Sequence, residues 1–231
     1  MDLKPERILA NLREVTDRIA AAAARSRRSA EAVRLVAVTK AVPTEAIRIL
    51  AEAGQKDIGE NRAPQLRDRA AELESLDVAW HMIGHLQRNK VKHVVPAAAM
   101  IHSVDSLRLA EKISKRAEGA GVRATCLLEV NVSGEEAKWG VAPADASRLA
   151  EEVASLPGVE LAGLMTMAPL VESVETVRPV FASLRDLLGR INREADLPAP
   201  LAQLSMGMTQ DYEVAVEEGS TIVRVGTALF Q

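Results

Sequence analysis

The 231-residue sequence contains one cysteine, one tyrosine, two tryptophans and two phenylalanines. A lone cysteine excludes an internal disulfide framework and suits a reducing cytoplasm, which is the expected location. Cys126 lies in the apolar run Thr125-Cys126-Leu127-Leu128 and reads as a small buried hydrophobe rather than a reactive thiol. With so few aromatic side chains there is little material for stacking bases, and a formal net charge of −3 gives no electrostatic reason to expect nucleic acid. No apolar run approaches the length of a membrane span, and the N-terminus lacks the hydrophobic core of a secretion signal. Residues 5–24 place Ile8, Leu12, Val15 and Ile19 at helical spacing, while Glu6, Glu14 and Asp17 argue against a transit peptide. That stretch is expected to be an N-terminal packing helix.

Two chemistry-bearing patterns are also missing. There is no G-x-G-x-x-G, which lowers the case for a doubly wound dinucleotide-binding sheet. The histidines form no metal motif: His81 and His85 straddle a strand end and a glycine rather than sharing a helix face. No metal site is expected, and His81 reads as a core or site-wall hydrogen-bonding residue.

What the chain does have is a repeated strand–turn–helix unit. The β-branched run Val33 to Lys40 reads as a buried parallel strand ending on a lysine. Pro43-Thr44-Glu45 then opens a helix that Gly54 stops. Further short strands are expected at Asp57–Asn61, Ala79–Gly84, Ala99–Val104, Cys126–Val132, Leu161–Met167, Leu201–Ser205 and Thr221–Val225, each followed by a helical segment. Asp105 is expected to cap the helix after the fourth strand, and Asp211–Glu218 to be helical. Eight strands alternating with helices within 231 residues imply one domain, residues 1–231, folded as a (β/α)8 TIM barrel.

In such a barrel the site lies at the strand C-termini, and phosphate is commonly held by the loops after strands seven and eight. Both loops suit that task. Ser205-Met206-Gly207-Met208-Thr209 and Gly226-Thr227-Ala228 offer hydroxyls and glycine turns. Strand alternation points Arg224 into the barrel if Val223 and Val225 face the outer helices, with either Glu129 or a ligand as its partner. Asn131 shares the strand face of Glu129. A lysine at the mouth of strand one, a phosphate cup and an inward arginine suggest a phosphorylated carbonyl ligand held as a Schiff base, with burial lowering the amine's pKa. A sugar-phosphate aldolase and a pyridoxal phosphate protein both satisfy this pattern.

A resemblance narrows it. Val38-Thr39-Lys40, Ile58 to Arg62, Trp80 to Lys90, Gly163 to Met167, Leu204 to Met208 and Gly219 to Thr227 are similar to motifs of the pyridoxal phosphate homeostasis family, also called YggS-like proteins. Asn131-Val132-Ser133, Glu136, Lys138 and Gly140 match a further segment. The resemblance implies a barrel like the N-terminal domain of alanine racemase, of the fold-type III pyridoxal phosphate class. It implies pyridoxal 5′-phosphate held as an internal aldimine on Lys40, with Ser205, Gly226 and Thr227 on the phosphate and Arg224 near the pyridine nitrogen. Asn61, His81 and Met165 fall in motifs expected to line the pocket. The implied role is intracellular vitamin B6 homeostasis without dedicated catalysis, with apo-enzymes that use the cofactor as recipients; a racemase of the same fold is the alternative. The racemase's second base is a tyrosine from a separate domain, and here the one tyrosine is Tyr212. A monomer is expected.

Overall fold

A computed structural model of the chain describes residues 4–135 and 139–231. Eight parallel strands close on themselves in sequence order: β1 (Arg34–Val38), β2 (Asp57–Glu60), β3 (Ala79–Met82), β4 (Ala98–Val104), β5 (Ala124–Glu129), β6 (Val159–Met165), β7 (Gln203–Ser205) and β8 (Ile222–Val225). Closure is made by β1, which pairs with β2 on one side and with β8 on the other, Leu35 opposite Val223 and Ala37 opposite Val225. The barrel expected from sequence is therefore present.

Helices α2 (Thr44–Glu52), α3 (Ala63–Glu72), α4 (Val91–Val94), α5 (Leu107–Glu118), α6 (Ala146–Ala154), α7 (Arg178–Glu194) and α8 (Tyr212–Glu217) connect successive strands. Alternation along each strand sorts the core in two. Val223, Val225, Ala37 and Leu128 face outward into the annulus between strands and helices, while Val36, Ile83, Met100, Leu127, Met165 and Ile222 fill the barrel interior. At Gly163 the adjacent strand comes so close that an added Cβ would run into the backbone of Gln203, so only glycine fits.

The N-terminal helix α1 (Pro5–Arg25) buries Ile8, Val15, Ile19, Ala22 and Ala23 on one face. Across its other contacts Arg18 and Arg25 pair with Glu213 and Glu217 of α8. Asn11 donates to the carbonyls of Leu229 and Gln231 at the end of a short helix α9 (Thr227–Phe230), which the sequence pattern does not announce. The packing helix thus holds down the segment that follows β8. One local expectation is corrected. Ser106, not Asp105, occupies the position before α5, and Asp105 instead accepts from the Ser106 hydroxyl. Pro143 precedes α6 by three residues, in a turn.

Candidate active site

The strand C-termini enclose a cavity of about 710 Å3, within the usual ~300–1,000 Å3 of small-molecule sites. Lys40, Asn61, Arg224, Gly226 and Thr227 all line it. Lys40 sits two residues beyond β1, exposed at the rim, so the burial argued from sequence is not found at its ammonium. Its loop is nonetheless fixed. Arg69 of α3 donates to the carbonyls of Thr39 and Val42 on either side and pairs with the fully buried Glu60, whose Oε1 also accepts from the Thr39 hydroxyl at 2.6 Å.

Arg224 forms the floor. Ile222 lies in the interior cluster, so alternation turns Arg224 inward as well, while Val223 and Val225 face the helices. Its guanidinium donates to Ser205 Oγ at 2.5 Å and to the Thr166 carbonyl at 2.9 Å. Burial pulls its pKa down to about 10, against the opposing charges of Asp211 and Glu129. The Glu129 ion pair considered from sequence is not formed; among the described residues Arg224 pairs with no carboxylate. A buried cation with no carboxylate in direct contact favours a ligand that brings acceptors or negative charge.

Glu129 is buried with Oε2 unpartnered. Burial first, then nearby Asp105, push its pKa up to about 7, with Arg224 acting the other way. The folded chain therefore keeps this proton to about pH 7, whereas an unfolded glutamate loses it near ~4.3. Its contribution to stability is present below that lower value and is lost as pH rises through 7. Denaturant midpoints at pH 5, 7 and 9 should fall across this range for the native chain and stay flatter for Glu129→Gln.

The phosphate loops are only partly as expected. Gly207 takes φ +94°, which turns the chain after β7 so that Met208, Thr209, Gln210 and Asp211 reach the cavity. The Met208 N–H donates to Asp211 Oδ1 at 2.6 Å, and the Gly226 N–H to Thr209 Oγ1 at 3.4 Å, joining the two loops. Ser205 does not line the cavity. It is fully buried one layer below, between Arg224 and His102. His81 and Met165 are likewise buried in the barrel below the cavity; Met167, two residues past Met165, lines it. Asn131 turns away, accepting from the Gly134 N–H.

Trp139 is half exposed and stacks on His85, ring centroids 3.9 Å apart, and both line the mouth. Trp80 is buried, and Cys126 is buried, as expected, with its thiol pushed up to about 12 by that burial. Glu136 and Lys138 lie outside the described residues. Among the described residues no cluster of histidine, cysteine and carboxylate could hold a metal, and no helix is long and apolar enough to cross a membrane. A larger groove of about 980 Å3, between the β3–α4 connection and α5, shares His85 with the cavity but lies on the outside of the barrel.

A closed (β/α)8 barrel with a lysine at the mouth of β1 and an arginine on β8 below it defines a barrel of the alanine racemase N-terminal class, and that domain's family profile matches residues 11–231. The chain belongs more narrowly to the pyridoxal phosphate homeostasis protein family. It is 44% identical over 219 residues to the pyridoxal phosphate homeostasis protein of Aquifex aeolicus, covering 95% of each chain. With the human protein of the same name identity is 35%, covering 95% of this chain and 84% of that one. The structure of PipY of Synechococcus elongatus with pyridoxal phosphate (PLP) bound superposes with a TM-score of 0.84 at 35% identity, covering 97% of this chain and all of that one.

Proposed function

We propose that this chain binds pyridoxal 5′-phosphate in the cavity at the strand C-termini and serves intracellular vitamin B6 homeostasis, storing the cofactor for apo-enzymes that need it. One observation carries the reading: a lysine at the rim and an arginine at the floor with no carboxylate in contact share a cavity of suitable size, with two polar loops between them. When bound, the group supplies an aldehyde that an amine can capture covalently and a ring able to withdraw electrons.

The roles of the chain's own residues follow from placement. Lys40 supplies the amine, held in register by Arg69. Thr209, Gly226 and Thr227 offer hydroxyl and backbone donors to a phosphate, and Thr227 is exposed and free to turn toward it. Arg224 donates to a ring acceptor at the floor, and Asn61, Met167 and the His85–Trp139 pair form the walls. Ser205, His81 and Met165 support from below. Because an arginine stays cationic, a ring nitrogen facing it stays unprotonated and withdraws electrons weakly. That suits storage better than carbanion chemistry.

Tyr212, the chain's only tyrosine, is buried in the outer layer on α8 with Arg18 of α1 5.6 Å from its ring centre, and it supplies no second proton-transfer group to the cavity. This favours the carrier over the racemase. The chain is read as a cytoplasmic monomer. Adding the cofactor to purified protein should produce a new visible absorption band at one equivalent; a protein that stays colourless would exclude the reading. Thr227→Ala should weaken retention in the same titration by removing a charge-assisted hydrogen bond worth roughly 1.5–3 kcal/mol. Unchanged affinity would argue against Thr227 as a phosphate ligand.

A further inference from the structure

The barrel interior below the cavity is not wholly apolar. A continuous file of polar side chains runs from the N-terminal mouth of the barrel to the cavity floor. Asp57 at the start of β2 meets His81 Nε2 at 2.8 Å; His81 Nδ1 meets His102 Nε2 at 2.9 Å; His102 Nδ1 meets Ser205 Oγ at 2.8 Å; and Ser205 Oγ meets Arg224 at 2.5 Å. His81, His102 and Ser205 are fully buried, and the two imidazoles cross edge to face. Such a file costs more to bury than the leucines and valines around it, so it calls for a reason.

The two ends dictate its direction. An arginine can only donate, so Ser205 Oγ accepts from Arg224 and its single O–H can go to His102 Nδ1; in the reverse arrangement the oxygen would accept twice and its O–H would have no partner in the file. His102 then carries its proton on Nε2 and donates to His81 Nδ1, which leaves the His81 proton on Nε2, facing Asp57. Starting instead from Asp57, which can only accept when ionised, gives the same tautomers. With one proton on each imidazole, every donor along the file points away from the cavity. Burial first, then the positive charges of Arg224 and Arg34, holds His102 well below the ordinary histidine range. The other groups facing the pair agree with this. Arg34 on β1 lies 3.7 Å from Asp57, β5 and β6 contribute the apolar Leu127 and Met165, and Glu129 lies nearer the cavity.

We propose that His81 and His102 are positioning residues for the cavity floor: with Asp57 and Ser205 they form a one-way hydrogen-bond file that fixes the Ser205 hydroxyl and through it the orientation of Arg224 toward the ligand. The file fixes Arg224 in place of the missing carboxylate, leaving its charge available to the cavity. A proton entering the pair would force one imidazole to present N–H to Ser205, which would then have to accept from both sides.

The first test needs no cofactor. Nitrogen-detected NMR of the four histidines at pH 8 should place the proton of both His81 and His102 on Nε2. A proton on Nδ1 of either, or averaging between tautomers, would overturn the file. The second test rests on the pyridoxal phosphate reading and measures cofactor affinity and the pH dependence of its absorption band. His102→Leu and Asp57→Leu should each weaken retention about tenfold and shift that pH dependence, whereas Asp57→Asn, which can still accept from His81, should match the native chain. Asp57 lies at the barrel mouth, so its variants serve if His102→Leu does not fold. If the native chain takes no cofactor, the function proposed above fails while the NMR result still decides the file. If the native chain binds and both leucine variants match it, the positioning role is wrong.

Discussion

Lys40→Ala should abolish the visible band that the cofactor gives with the native chain while leaving the melting temperature within a few degrees. The reasoning rests on where Lys40 sits. Its side chain is exposed at the rim, and what fixes the loop around it is backbone bonding, the carbonyls of Thr39 and Val42 held by Arg69 and the Val42 N–H bonded back to the Thr39 carbonyl at 3.1 Å. Alanine disturbs none of this, and surface substitutions of that kind usually change stability by no more than ~0.5 kcal/mol. No other side chain among the cavity-lining residues is an amine. Loss of both the band and the fold would mean that Lys40 is structural.

Arg69→Ala is expected to have the opposite profile, a large loss of stability accompanied by loss of cofactor retention. Glu60 is fully buried, and its Oε2 is already without a partner; removing Arg69 would leave a carboxylate inside the protein with only the Thr39 hydroxyl. Breaking a buried pair from one side costs about 3–5 kcal/mol, a large share of the ~5–15 kcal/mol that holds a domain folded. The same substitution releases the carbonyls that clamp the Lys40 loop. Denaturant unfolding of the protein without cofactor, followed by titration with it, separates the two effects. Native-like stability for Arg69→Ala would show that the pair contributes little. Arg69→Ala combined with Glu60→Gln should recover part of the stability, because the uncompensated charge is gone, but not the loop.

The sequence was most legible where burial is complete on both faces. Parallel barrel strands are short apolar runs bounded by turn residues, and all eight fall within two or three residues of their expected limits because that pattern has little competition. Arg224 could be turned inward from alternation alone. Depth was harder to read. Ser205 and Thr209 both offer hydroxyls four residues apart in one loop, and only the turn at Gly207 decides that Thr209 reaches the cavity while Ser205 stays beneath it. The partner of Arg224 depended on barrel register, which sets Ser205 opposite Ile222 and leaves Glu129 out of reach. The histidine file had no local signal at all, since it joins residues of β2, β3, β4, β7 and β8. Nor did the Arg69 clamp, whose arginine lies 30 positions from one of the carbonyls it holds. A lone tryptophan usually packs, and nothing in the neighbours of Trp139 announces its stack on His85.

The central claim, that one lysine at the mouth of the first strand anchors the cofactor covalently, is tested most directly by borohydride reduction of the protein loaded with pyridoxal phosphate, followed by peptide mapping. The label should be found on Lys40 at close to one equivalent. A label on Lys90 or Lys138 with Lys40 unmodified would contradict the account.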